Sequence, residues 1–204
     1  MRAIVNVNKK WGIGRDNDLL INIPEDMKFF RKTTAAKIVI MGRKNLESFP
    51  EMKPLIGRVN IVITSDPARI KEESRAGATD YIGDISDENV KKKLAELTDM
   101  VLSNKEAKAS ERPTVLALAR TPEEVIDFCS EYPEGESFVI GGASIYRTML
   151  PYCSTCIVTV NDADIEADTY FPDLETMDEW ERSETGEVRE YEGIKYHFDT
   201  FVRV

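Results

Sequence analysis

The sequence predicts an α/β protein: a central, mostly parallel sheet covered by helices on both faces, with antiparallel strands at its C-terminal edge. Three observations carry this. Short runs rich in β-branched residues alternate with helical stretches through most of the chain. Several of those runs, such as 37–41 and 138–140, are apolar throughout, as strands buried on both faces are. The tail then holds two strand-like runs, near 180–188 and 196–204, joined by a polar turn around Glu192-Gly193.

Composition bounds the class. Of 204 residues, 42% are hydrophobic and 31% charged, which suits one folded domain with a substantial core. No run of about 18 apolar residues occurs, so no membrane-spanning helix is expected. The first residues lead directly into a strand and lack the apolar core and cleavage site of a secretory signal. The net charge of −10 argues against general nucleic-acid binding, and any anion must be met by locally focused cations. Three cysteines, Cys129, Cys153 and Cys156, fit a reducing cytoplasm. Cys153-x-x-Cys156 has no second pair and the single histidine, His197, is far off in an alternating run, so all are read as structural and no metal site is expected.

Residues 2–8 read as the first strand. Residues 9–18 follow as a polar, glycine-punctuated loop, either a plain surface loop or a lid; Trp11 and Ile13 within it either pack on a ligand or anchor the loop. Pro24-Glu25-Asp26 opens a helix, since proline suits the first position, carboxylates suit the first turn, and Arg31 and Lys32 suit the last. Asp26, Phe29 and Phe30 stand at i, i+3 and i+4 with Met27 alongside, so the carboxylate shares a face with apolar side chains. It is either a helix-start acid held by the dipole or a lone carboxylate at the rim of an apolar pocket. In the second case it would hold a cationic or amide-bearing ring and titrate above its usual range.

Residues 37–41 form a second buried strand that runs into Gly42-Arg43-Lys44 at a helix start. The cations are either a solvated turn or a phosphate clamp, and in so acidic a chain the clamp is preferred. The Gly57-Arg58 turn precedes a strand at 59–64, which ends in Thr64-Ser65-Asp66. Residues 66–112 look least like core. They hold one short strand near 77–82 and an amphipathic helix over 87–103, marked by Val90, Leu94, Leu97 and Val101. This segment is read as a helical insertion packed on a single domain spanning 1–204.

Strand character resumes at 113–119, and Thr121-Pro122-Glu123-Glu124 starts a helix that runs to about Ser130. Residues 138–146 then give a buried strand, a double glycine and a helix start that stops at Pro151. Glycine lets backbone approach a ligand where a Cβ would block it, and an uncapped helix start offers N–H groups to phosphate. Taken alone, Gly-Gly after a strand is more often a plain turn. Residues 155–161 form another strand, and 162–172 an acidic loop.

Five of these pieces, in order, resemble dihydrofolate reductase: Trp11-Gly12-Ile13-Gly14, Pro24-Glu25-Asp26-Met27-x-x-Phe30, Val39-Ile40-Met41-Gly42-Arg43, Val139-Ile140-Gly141-Gly142-x-x-Ile145-Tyr146, and Asp168-Thr169-Tyr170-Phe171-Pro172. The match covers residues 3–65 and 113–172. The resemblance implies a three-layer α/β fold on a mainly parallel eight-stranded sheet. It also implies a cytoplasmic, monomeric enzyme that uses NADPH to reduce dihydrofolate to tetrahydrofolate for one-carbon metabolism.

The resemblance further implies a role for each position. Asp26 would bind the pterin's 2-amino group and ring nitrogen and support protonation at N5 through ordered water, with Thr159 hydrogen-bonded beside it. Met27, Phe30, Phe49 and Leu55 would wall the pterin and benzoyl groups, and Ile4, Val5 and Ile140 would also bind the substrate. Arg58 would grip the glutamate α-carboxylate. Arg43, Lys44, Thr64 and Ser65 would meet the 2′-phosphate end of NADPH, where Gly42 and Asn45 frame the helix start. Gly141-Gly142, joined by a cis peptide, would seat the pyrophosphate and nicotinamide ribose with Ala143, Ser144 and Ile145. Tyr146 would lie by the nicotinamide, with Asn6, Ile13 and Gly14 near it. Asp168 would hold the 9–20 lid closed.

The chain departs from the family pattern at several places. Leu20-Ile21 stands for the usual Pro-Trp, Asn6 for a small residue, Asn45 for a threonine, Ala143 for a third glycine and Ser144 for a basic residue. These changes bear on turnover and NADPH preference more than on fold. They motivate a second reading, a folate- or nucleotide-binding protein with weakened catalysis. A third reading is a same-fold reductase acting on a pyrimidine intermediate of riboflavin synthesis; Asp26 in its helix context, with Arg58, favours folate.

Overall fold

The computed structural model describes residues 1–204. The chain begins with β1 (Arg2–Asn8), a small hairpin of β2 (Gly12–Arg15) and β3 (Asp18–Leu19), and α1 (Pro24–Thr33). Next come β4 (Ile38–Gly42), α2 (Arg43–Glu47) and β5 (Val59–Ile63). The 66–112 segment supplies α3 (Glu72–Ala76), β6 (Asp80–Asp84) and α4 (Glu88–Ser103). Then follow β7 (Val115–Ala119), α5 (Pro122–Ser130), β8 (Ser137–Gly141), α6 (Ala143–Met149) and β9 (Thr155–Asn161). The tail holds β10 (Thr169–Tyr170), β11 (Trp180–Thr185), β12 (Arg189–Tyr191) and β13 (Ile194–Arg203).

The main sheet runs β11-β13-β9-β1-β8-β4-β5-β7-β6, with β12 also paired to β13. Every pairing from β9 to β6 is parallel, while β13 pairs antiparallel with β9, β11 and β12. The central parallel strands β4 and β7 carry almost only apolar side chains because both their faces are covered. Along β4, Ile38 and Ile40 join a core of 30 buried residues on one face, and Val39 and Met41 a core of 10 on the other.

The sheet has ten strands, not the eight the resemblance implies. One reason is β6, which extends the parallel edge beyond β7 from within the 66–112 segment. Another is the tail, where Glu192 (φ 50°) and Gly193 (φ 82°) make a two-residue turn that separates β12 from β13. The short strand expected near 77–82 is thus β6, so the 66–112 segment is not purely helical. Its helix α4 turns Leu94, Leu97 and Val101 into the larger core, as the periodicity predicts. At its end the buried Arg112 donates to the carbonyls of Asn104, Lys105, Ala107 and Gly57, and so ties the segment to the turn before β5.

A second correction concerns residues 9–20. They are not an irregular loop: β2 and β3 pair through a tight turn at Asp16 and Asn17, whose φ values are 53° and 66°, and β10 completes a three-stranded antiparallel sheet. The two apolar residues there divide the roles offered to them. Trp11 anchors the loop, its ring buried 6.1 Å from Phe171 and 6.0 Å from Phe201. Ile13 faces the cleft.

Candidate active site

Strands β1 and β8, with α1, α2 and the β2–β3 hairpin, enclose a cavity of about 290 Å³. It includes the C-terminal end of β8, and ligands commonly bind at that end of a parallel sheet. Asp26 reaches it from the first turn of α1, among Ile4, Val5, Met27, Phe30, Phe49 and Ile140. The helix is fixed at that turn: Glu25 accepts from Tyr196 Oη at 2.5 Å and pairs with Arg189, and Phe29 packs 4.5 Å from Phe198.

The sheet supplies the carboxylate's partners. Parallel register sets Asn6 of β1 beside Thr159 of β9, so both side chains emerge on one face. Thr159 Oγ1 donates to Asp26 Oδ1 at 2.6 Å, and Asn6 Nδ2 donates to Oδ2 at 2.8 Å. Burial raises the Asp26 pKa above the usual carboxylate range, and these two hydrogen bonds pull it part of the way back. Of the two readings open for this residue, the structure has the carboxylate in an apolar cleft.

The glycine bend lies across the same cavity. Gly141-Gly142 is a cis peptide, and both residues line the cleft. A Cβ on Gly142 would meet nothing within 4 Å, so the bend opens onto free space. Behind it Tyr146 is buried, with its hydroxyl donating to the Ile4 carbonyl at 2.7 Å. Two helices, α2 and α6, begin at glycines 42 and 142 with no side-chain cap. They start from adjacent strands, β4 and β8, so their free N–H groups lie side by side. Register also sets Ile63 beside Gly42, so Thr64 and Ser65 leave the sheet at the same end as Arg43 and Lys44. Arg43 is held by Glu47 at 2.6 Å.

The remaining expected positions separate into those at the cavity and those beyond it. Asn6, Ile13, Gly14, Asn45, Gly141, Gly142 and Tyr146 line the cavity. Asn45 Nδ2 donates to the Ile140 carbonyl at 3.3 Å, bridging α2 to β8. Gly42, Arg43, Lys44, Thr64, Ser65, Ala143, Ser144 and Ile145 surround the two helix starts outside the cavity wall. Leu55 packs at the edge of the smaller core, also outside the wall. Arg58 is buried, its guanidinium donating to the Thr34, Ile56 and Arg31 carbonyls and to Thr34 Oγ1. Burial, with Arg112 and Arg31 nearby, lowers its pKa to about 10, and no carboxylate neutralises it. Asp168 accepts from the Asp16 N–H at 2.8 Å, joining the β2–β3 turn to the strand that flanks it.

Sequence reasoning missed Asn17, Asp18, Leu19, Ser48, Pro50 and Thr169 as lining residues. The first three sit on β3 or its turn, and an Asp-Asn pair between short flanks was the available signal. It also missed Asn161, whose side chain reaches Asn6; only the strand register reveals that contact.

Comparison with known proteins gives a consistent result. The family model described as dihydrofolate reductase matches residues 1–87 and 82–203. The chain is 31% identical to a dihydrofolate reductase of Neisseria meningitidis, over 94% of this chain and 90% of that one. It is 30% identical to one of Bacillus subtilis, over 91% and 84% respectively. It is also 30% identical to a bifunctional dihydrofolate reductase-thymidylate synthase of Arabidopsis thaliana, all of this chain matching 34% of that protein, so it spans about a third of such relatives. The solved structure of a dihydrofolate reductase from Enterococcus faecalis, complexed with NADP(H) and RAB-propyl, shares the fold. The TM-score is 0.68 at 22% identity, covering 99% of this chain and 95% of that one.

Proposed function

The chain belongs to the dihydrofolate reductase family, and from that premise we propose that it reduces 7,8-dihydrofolate to tetrahydrofolate with NADPH. The observation that carries the reading is the Asp26 carboxylate, held in an apolar cleft that it shares with the Gly141-Gly142 bend. The donor set suits the cofactor. Two uncapped helix starts offer N–H groups to a pyrophosphate, the bend leaves room for backbone contact, and Arg43, Lys44, Thr64 and Ser65 suit a further phosphate. NADPH, when bound, supplies the hydride that reduces pterin C6.

The chain's own residues bind, orient and protonate. Asp26 accepts from the pterin's 2-amino group and ring N–H and favours a proton at N5. Ile4, Val5, Met27 and Phe30 exclude water around the ring, and Thr159 fixes the carboxylate plane. Arg58, charged and already oriented by carbonyls, grips the substrate's terminal carboxylate. Catalysis is then mostly positioning plus one assisted proton transfer.

The test is NADPH absorbance with and without dihydrofolate. The expected result is NADPH loss that requires dihydrofolate. Binding of both ligands with no turnover would overturn the reading in favour of a folate-binding protein with weakened catalysis.

A further inference from the structure

Asp26 carries a second donor whose direction is fixed by the backbone. The Ala163 N–H donates to Asn161 Oδ1 at 3.1 Å, so that end of Asn161 must be its oxygen. Its nitrogen then donates to the Val7 carbonyl at 2.9 Å and to Asn6 Oδ1 at 2.8 Å. The Asn6 oxygen is thereby committed, and only its nitrogen can face Asp26 Oδ2. Each amide in this row is pinned by the one behind it, starting from a group that cannot be flipped. Asn161 is buried at 2% exposure, which keeps water from competing.

We propose that Asn6 is a positioning residue for the proposed reaction: backed by Asn161, it lends a fixed amide donor to the ionised Asp26 carboxylate and sets how readily that group takes up a proton. This rests on the reductase reading for its consequence, but not for its chemistry. A donor aimed at an anion stabilises the anion and makes it a weaker base, and it cannot turn to serve the neutral acid. Thr159, by contrast, has a hydroxyl that can rotate to accept as well as donate. The two partners are therefore not equivalent: Thr159 tolerates both protonation states, whereas Asn6 favours one.

Other titratable groups near Asp26 do not account for such an effect. Tyr146 from α6 and Tyr196 from β13 have pKa values raised by burial and stay neutral across the working range. Glu25, adjacent on α1, is committed to Tyr196 and Arg189, and Asp18 lies across the cavity on the hairpin.

The test is Asn6→Ala and, separately, Asn161→Ala, each followed by the pH titration of the Asp26 side-chain carboxyl carbon by NMR in the ligand-free protein. The Asn6→Ala midpoint is expected to rise by about one pH unit, a roughly tenfold gain in proton affinity, as befits loss of one hydrogen bond to a charged group. Asn161→Ala should move it the same way by less, because it frees Asn6 to turn; it also keeps the test open if Asn6→Ala fails to fold. The acid limb of kcat/KM against pH should follow the titration. A midpoint unchanged within about 0.2 units in folded Asn6→Ala, or in folded Asn161→Ala where Asn6→Ala does not fold, would overturn the role of Asn6. A shifted midpoint in a protein that never oxidises NADPH would leave that role standing and remove the reductase reading instead.

Discussion

At the scale of single residues, Asp26 joins function to a cost in stability. Burial holds its folded-state pKa above the unfolded value. The stability this confers is fully present below the unfolded pKa and is lost as pH rises through the folded one, so at neutral pH the ionised carboxylate weakens the fold. Replacing Asp26 with Asn should thus have opposite effects on rate and stability. Turnover should fall by about a hundredfold or more near neutral pH and partly recover in acid, where the substrate arrives already protonated. The melting temperature of Asp26→Asn should exceed that of the unaltered protein at alkaline pH, and the gap should narrow as pH falls through the raised folded-state pKa of Asp26. Melting curves across that range check this; a variant no more stable at the alkaline end would contradict the sign. Asp26 was legible from sequence because its spacing to Met27 and Phe30 marks an apolar face. Asn161 was not, because a polar residue at the end of a strand has no partner until register supplies one.

Elements position these residues, and the least regular of them were the hardest to read. The sequence suggests a loop at 9–20 because strands as short as β2 and β3 show no periodicity, and their pairing depends on β10, over a hundred residues away. Asp168 is the polar link in that sheet. Its carboxyl is held below the usual range by the hydrogen bonds from the Asp16 N–H and Thr169 Oγ1. Because the group is exposed, Asp168→Ala should leave the melting temperature nearly unchanged while loosening the hairpin. Amide hydrogen exchange should accelerate at Asp16 and its neighbours and stay constant in β1 and β9. The proposed cofactor should dissociate faster, since Asn17 at the hairpin turn reaches the Lys44 carbonyl of α2 at 3.4 Å. Uniform acceleration of exchange across the sheet would show that Asp168 supports the whole fold and not the hairpin alone. The longer elements were legible for the opposite reason: α4 and α5 each carry a side-chain cap and buried apolar residues in their own sequence, and α1 carries a starting proline with acids in its first turn and bases in its last.

At the scale of the whole molecule, the question is whether the 66–112 segment is an attachment or a structural part of the body. Composition suggested an insertion, but a charged, alanine-rich stretch cannot reveal that β6 will extend the sheet or that Arg112 will bind the Gly57 carbonyl. Helix α4 contributes Leu94, Leu97 and Val101 to the same 30-residue core that holds Trp11 and Trp180. We infer that the chain unfolds as one unit. Leu94 is fully buried, so Leu94→Ala should remove about 2–5 kcal/mol through lost contacts and the cavity left behind. With a urea m-value of about 1–3 kcal/mol/M, the unfolding midpoint should fall by roughly 1–2 M. The two tryptophans lie outside the segment, so their fluorescence reports on the rest of the body, while far-UV circular dichroism also sees α4. If the segment belongs to the body, both signals shift together and their midpoints coincide. If it is an attachment, circular dichroism changes first and the fluorescence midpoint stays where it is in the unaltered protein, because an independent unit can be weakened without loosening the core around Trp11 and Trp180.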